Sequence, residues 1–124
     1  MRSERRIRRL VVDGATTGEA VAYLWSVRHR HSTGGPCREV LALTRDGVTT
    51  RLVFQGGEGR LVPDGFLPSG AVALGKGAAL NLHEPGVVRA FVDEAARRGL
   101  LTGSAELDGW DLFPAVAARR AAGG

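Results

Sequence analysis

The three histidines and the single cysteine lie at positions that one β-hairpin and the N-terminus of one helix could bring together. His29 and His31 flank one arginine in the run R-H-R-H, Cys37 follows a five-residue loop, and His83 comes just before Pro85. Imidazole nitrogen and thiolate sulfur are ligands that zinc prefers, in sets of four or in sets of three with one open position. The pattern therefore indicates a site for a divalent metal such as zinc, with His29, His31, Cys37 and His83 as candidate ligands.

The same side chains allow two other interpretations. Cys37 could be a nucleophile activated by a neighbouring histidine, although the sequence around it offers no family signature and no recognisable oxyanion hole. Alternatively, the histidines are polar residues where a strand leaves the core, and the cysteine is a small buried apolar residue. The chain has no C-x-x-C or H-E-x-x-H motif to decide between these interpretations.

The strand that must position the histidines lies at residues 21–31 and has the clearest pattern in the chain. Its odd positions are apolar up to residue 27 and then continue as His29 and His31. Alternate residues of a strand point to opposite faces, so Arg28 and Arg30 are expected on the other face. The two histidines therefore extend the row that faces the core.

A second strand at 37–45 is expected to pair with the first. The register that sets large apolar residues opposite each other also sets His31 opposite Cys37 and His29 opposite Glu39. Directly opposed residues have Cβ atoms about 4.5–5.5 Å apart. Glu39 is therefore predicted as a further ligand, or as a carboxylate that accepts a hydrogen bond from a liganding histidine without touching the metal itself.

The other patterns predict an α+β domain. Asp46-Gly47 is typical of a two-residue hairpin, and further strands are expected at 7–12, 49–54, 71–74 and 79–82, with a helix at about 85–98 and a last short strand or hairpin at 106–113. The expected fold is a meandering, mainly antiparallel β-sheet of five or six strands with one principal α-helix packed on one face.

The predicted domain spans residues 10–113. A basic arm at 1–9 precedes it, and a short helical or disordered tail at 114–124 follows it. The pattern leaves the conformation of 56–70 and 100–124 open.

The positive charge of the chain is concentrated in the N-terminal arm. Residues 1–9 hold five arginines and one glutamate, which accounts for the whole net charge of +4. Dense arginines can contact phosphates, so nucleic-acid binding is one candidate function, while a solvated tail explains the same charges. The candidate contacts are Arg2, Arg5, Arg6, Arg8 and Arg9.

Cysteine content and hydropathy bear on the compartment. A single cysteine excludes an internal disulfide bond, and this favours a reducing cytoplasm. No apolar run approaches ~18 residues and no export signal is recognisable, so neither a membrane span nor secretion is expected.

Three runs of the sequence carry a resemblance. Tyr23 to His31, Cys37-Arg38-Glu39 and Asn81 to Gly86 resemble a group of short bacterial proteins from high-GC actinobacteria, over roughly residues 8–112. That group has no assigned activity, so the resemblance implies no catalytic or binding residues.

The absence of a catalytic signature in a short chain favours a small cytoplasmic accessory or binding module without catalysis of its own. Its partner would be an unidentified protein or a second copy in a homodimer. A small metalloprotein or metal-dependent enzyme using His29, His31 and Cys37 is the first alternative, and nucleic-acid binding through the arginine arm is the second.

Overall fold

The computed structural model describes residues 7–13, 20–31, 33–63, 67–75 and 77–123. These residues form eight strands and two helices. They are β1 (Arg8–Asp13), β2 (Ala20–Arg30), β3 (Arg38–Arg45), β4 (Val48–Gln55), β5 (Arg60–Leu61), β6 (Ala71–Leu74), β7 (Ala79–Asn81), α1 (Pro85–Arg97), β8 (Ala105–Asp108) and α2 (Gly109–Gly123).

The strands belong to two sheets rather than the one that the sequence predicted. Five strands form a sheet in the order β1-β2-β3-β4-β8, which is antiparallel except for the β4–β8 pair, and β5-β6-β7 form a second sheet. The two sheets separate at Gly56, whose N–H donates to Cys37 O before the chain turns at Gly57 and pairs with Arg60 instead. The α+β class and the mainly antiparallel sheet are confirmed, and the single meander is wrong.

The register of the central strands is the one that apolar pairing predicted. His29 faces Glu39 across β2 and β3, and Glu39 faces Phe54 across β3 and β4. Asp46 and Gly47 join β3 to β4 with φ angles of 53° and 77°, the positive values that a two-residue hairpin requires and that Asp and Gly tolerate. This hairpin fixes the register and therefore fixes which face Glu39 occupies.

Helix α1 follows the predicted pattern closely. Pro85 occupies its first turn, and the helix buries an apolar stripe that includes Val88, Phe91 and Ala95 against the sheet. The helix is terminated by Gly99, the residue after the C-cap Arg98, which has a φ of 71° and donates its N–H to Ala96 O, while the next N–H donates to Ala95 O. This pair of bonds is the Schellman termination that glycine favours.

Helix α2 corrects the prediction of a strand or hairpin at 106–113. The strand stops at Asp108, whose Oδ1 accepts a hydrogen bond from Trp110 N–H at 3.0 Å and so caps the new helix. Trp110, Phe113 and Val116 recur at helical spacing and are buried. Pro114 lies inside this helix. Because proline normally interrupts helices, the sequence pattern did not predict a helix across this position.

The two helices are tied together by one buried carboxylate. Glu94 is 1% exposed and accepts hydrogen bonds from Arg97 of α1, from Arg98 directly after that helix and from Arg119 of α2. The bonds from Arg97 and Arg98 lower the pKa of Glu94 to about 2, against the opposing effect of burial. Within the described residues, neither helix is long and apolar enough to cross a bilayer.

Candidate metal centre

The end of β2 and the start of β3 bring three candidate ligands together. Each of His29, His31 and Cys37 offers a ligand atom, and these atoms all lie within 4.8 Å of one another. Four ligands bound tetrahedrally to zinc at about 2.0–2.3 Å are separated by roughly 3.3–3.8 Å. Small side-chain rotations would therefore bring the three atoms to coordination distance.

His31 and Cys37 are already in contact. Cys37 Sγ lies 3.2 Å from His31 Nδ1, at the position that the strand register predicted for the pair. The rings of His29 and His31 meet edge to face with centroids 4.4 Å apart. The side chains thus form one continuous group, in which His31 is exposed while His29 and Cys37 are half-buried.

The buried residue Glu39 contacts one of these histidines, His29. Its side chain is fully buried, with Oε1 2.6 Å from His29 Nδ1 and with Oε2 accepting a hydrogen bond from Gly70 N–H at 2.8 Å. An ionised carboxylate only accepts, so the tautomer of His29 that fits an ionised Glu39 carries its proton on Nδ1. The lone pair of His29 is then on Nε2, the arrangement in which a carboxylate orients a metal-binding histidine.

Gly70 is a site residue that the sequence analysis missed. Its φ is +85°, and a Cβ atom there would lie 2.4 Å from Cδ2 of His83. Only glycine can adopt this backbone conformation with the His83 ring so close. In that conformation the backbone N–H of Gly70 donates to Glu39 Oε2. The turn dipeptide Ser69-Gly70 was visible in the sequence, but nothing in the sequence linked it to Glu39.

His83 is placed apart from the other three candidates. Among the described residues, the convergent group contains His29, His31 and Cys37 but not His83. His83 Nε2 lies 3.0 Å from Ser69 Oγ, and its backbone N–H donates to Asn81 Oδ1. His83 therefore adjoins the group through Ser69-Gly70.

A cavity of about 400 Å³ opens beside the group. Cys37 forms part of its wall, together with Arg60 and the apolar side chains of Leu61, Val62 and Leu67. Cys37 therefore contacts His31 and also borders a largely apolar space.

The arginine arm is described only in part. Arg8 donates to His83 O at 2.9 Å and its guanidinium carbon lies 4.8 Å from the centroid of the Trp25 ring, so this arginine is engaged within the protein. Arg9 is exposed on β1. Arg2, Arg5 and Arg6 lie outside the described residues.

Comparisons with family models, with characterised proteins and with solved structures find no match to this chain.

Proposed function

We propose that this protein binds one divalent transition-metal ion, with His29, His31 and Cys37 as its ligands. The observation that carries the proposal is the convergence of their ligand atoms within 4.8 Å. Two imidazoles and a thiolate form a donor set that suits zinc better than magnesium or calcium, which prefer oxygen.

The environment of His29 supports the same assignment. A liganding imidazole commonly donates its second N–H to a carboxylate, which fixes the ring and makes the ligand more basic. The fully buried Glu39 accepts from Nδ1 of His29 and is itself held by Gly70 N–H. The cost of burying a carboxylate is thus offset by two donors, and one of them belongs to a candidate ligand.

Three protein ligands leave a fourth position for water or for a substrate. A zinc ion held in this way would polarise whatever occupies that position. Among the described residues the group has three members rather than four, and this favours an open centre over a closed structural one. A non-catalytic accessory module, acting alone or as a homodimer, stays a prediction. Turnover of a substrate at the open position is the alternative prediction.

The test is the metal content of untagged protein purified without added metal, by elemental mass spectrometry. We expect about one equivalent of zinc or another transition metal in the natural protein and in His83→Ala, and less than a tenth of that in His29→Ala/His31→Ala. His83→Ala is the matched control because it removes an imidazole outside the group. A metal-free natural protein that also fails to take up zinc in a calorimetric titration would overturn the proposal.

A second candidate function, nucleic-acid binding, is supported by the outer face of the five-stranded sheet. Strand alternation and register place five arginines on that face, against three acidic residues, Asp13, Glu106 and Asp108. These arginines are Arg9, Arg28, Arg30, Arg38 and Arg51. Phosphate contacts by such a face would strengthen as salt is lowered.

Binding to a labelled duplex oligonucleotide at several salt concentrations tests this candidate. Arg28→Gln/Arg30→Gln is expected to weaken binding at least fivefold. Arg45→Gln/Arg89→Gln removes the same charge from two arginines paired with Asp46 and Asp93 and is expected to change binding less than twofold. Equal losses in both variants would argue for net charge alone and against a specific face.

A further inference from the structure

The cavity next to Cys37 has the size and lining of a site for a small organic ligand. Its volume is about 400 Å³, within the range of about 300–1,000 Å³ that small-molecule sites occupy. Leu61, Val62 and Leu67 give it an apolar surface, and Leu61 is 44% exposed although it is a large hydrophobic residue. An apolar group entering the cavity would cover this surface.

Arg60 is the charged residue among the described residues that line this cavity. In the part of the chain that the structure describes, no carboxylate lies within ion-pair distance of its guanidinium. That holds even for Glu106 and Asp108, which share a second cavity of about 300 Å³ with Arg60. A guanidinium beside an apolar space is suited to a carboxylate, which it can bind through two parallel hydrogen bonds.

Cys37 links this cavity to the metal centre. Cys37 lines the cavity, and its Sγ is also one of the three convergent ligand atoms. A molecule in the cavity therefore lies next to the group whose fourth coordination position would be open.

We infer that this cavity binds a short, apolar-chain carboxylic acid, with its carboxylate on Arg60 and its chain against Leu61, Val62 and Leu67. The further statement that the bound acid lies beside the open coordination position rests on the proposed metal-binding function. Binding by Arg60 and the apolar wall does not depend on it.

Octanoate is the probe, and octanol, which has the chain but no charge, is its control. Each is titrated calorimetrically into protein loaded with Co²⁺, while the cobalt absorption bands are recorded. Octanoate is expected to bind at least tenfold more tightly than octanol. Its binding is expected to shift the cobalt bands, because the metal would sense an occupant next to its open position.

Arg60→Gln is expected to weaken octanoate binding at least tenfold and to leave binding of Co²⁺ unchanged. Arg45→Gln, an exposed arginine outside the cavity, is expected to change neither. Octanoate that binds no better than octanol, or equally well to Arg60→Gln, would overturn the cavity inference while cobalt binding still supports the metal centre. Octanoate binding that depends on Arg60 in a protein that takes up no cobalt would support the acid site and overturn the metal proposal.

Discussion

Glu39 and His29 face each other across β2 and β3, and their side chains meet at 2.6 Å between Oε1 and Nδ1. The pair is asymmetric, because Glu39 is fully buried whereas the side chain of His29 is 24% exposed. The carboxylate thus belongs to the core, whereas the imidazole is half-buried and partly open to solvent. A buried group of the sheet therefore orients a partly exposed candidate ligand.

Glu39→Gln tests whether that orientation matters for metal binding. The amide retains the size of the side chain but loses the charge, so His29 is held less firmly. We expect zinc affinity to fall about 10- to 100-fold while one equivalent still binds at saturation. Competition with a chromophoric chelator measures the affinity, and thermal unfolding with and without zinc reports stability separately. A variant that unfolds more easily but binds zinc as tightly as the natural protein would limit Glu39 to a structural role.

Gly70→Ala is expected to disturb the same carboxylate through the backbone. Alanine at a positive φ costs about 1–2 kcal/mol, and its Cβ would also press against the ring of His83. Gly75 has a φ of +54°, and a Cβ atom there would meet nothing within 4 Å, so Gly75→Ala carries the backbone cost alone. We expect Gly70→Ala to lose about 1–3 kcal/mol more unfolding free energy than Gly75→Ala, as measured by urea denaturation. Equal losses would mean that the contact with His83 relaxes freely.

The sequence predicted the half of the site that depends on local strand pairing. Alternation in β2 and the pairing of large apolar residues across β2 and β3 are short-range features, and together they placed His29 opposite Glu39 and His31 beside Cys37. Side-chain period and apolar pairing suffice for this, because a slip of one residue would turn the apolar row away from the core.

The other half of the site depends on contacts between distant segments. Gly70, which immediately precedes a strand of the second sheet, donates to Glu39 across 31 residues of sequence, and no local pattern encodes that approach. For the same reason the sequence offered His83 as a ligand, although its ring is directed to Ser69. The parallel pairing of β8 with β4 is equally non-local, which explains why the chain after α1 was the least predictable.

Lowering the pH is expected to weaken the hydrogen bonds of Glu94 with Arg97, Arg98 and Arg119, which connect the two helices. The pKa of Glu94 is lowered from 4.5 to about 2 in the folded protein, so its ionised form is favoured by folding. Its contribution to stability is fully present above the unfolded pKa and is lost as pH falls from about 4.5 towards 2. In urea denaturation, the natural protein should therefore exceed Glu94→Gln in stability at neutral pH, and the difference should shrink over this interval.

Asp93→Asn is the control for that titration. It removes an exposed ion pair with Arg89 on the same helix and is expected to change the unfolding free energy by less than about 0.5 kcal/mol at neutral pH. A stability difference between Glu94→Gln and the natural protein that stays constant down to pH 2 would contradict the lowered pKa of Glu94.

Gly109→Ala is expected to damage the junction between β8 and α2. A Cβ atom at Gly109 would lie 2.4 Å from Cζ of Phe54, and Phe54 is fully buried and stacked edge to face on Trp110 and Phe91. Since a packed aromatic cluster has little room to move, we expect a loss of about 1–3 kcal/mol in unfolding free energy. A Cβ atom at Gly103 would meet nothing within 4 Å. The unfolding free energy of Gly103→Ala should therefore stay within about 0.5 kcal/mol of that of the natural protein. Circular dichroism during urea denaturation measures the loss, and similar midpoints for the two variants would show that α2 can shift away from Phe54 at little cost.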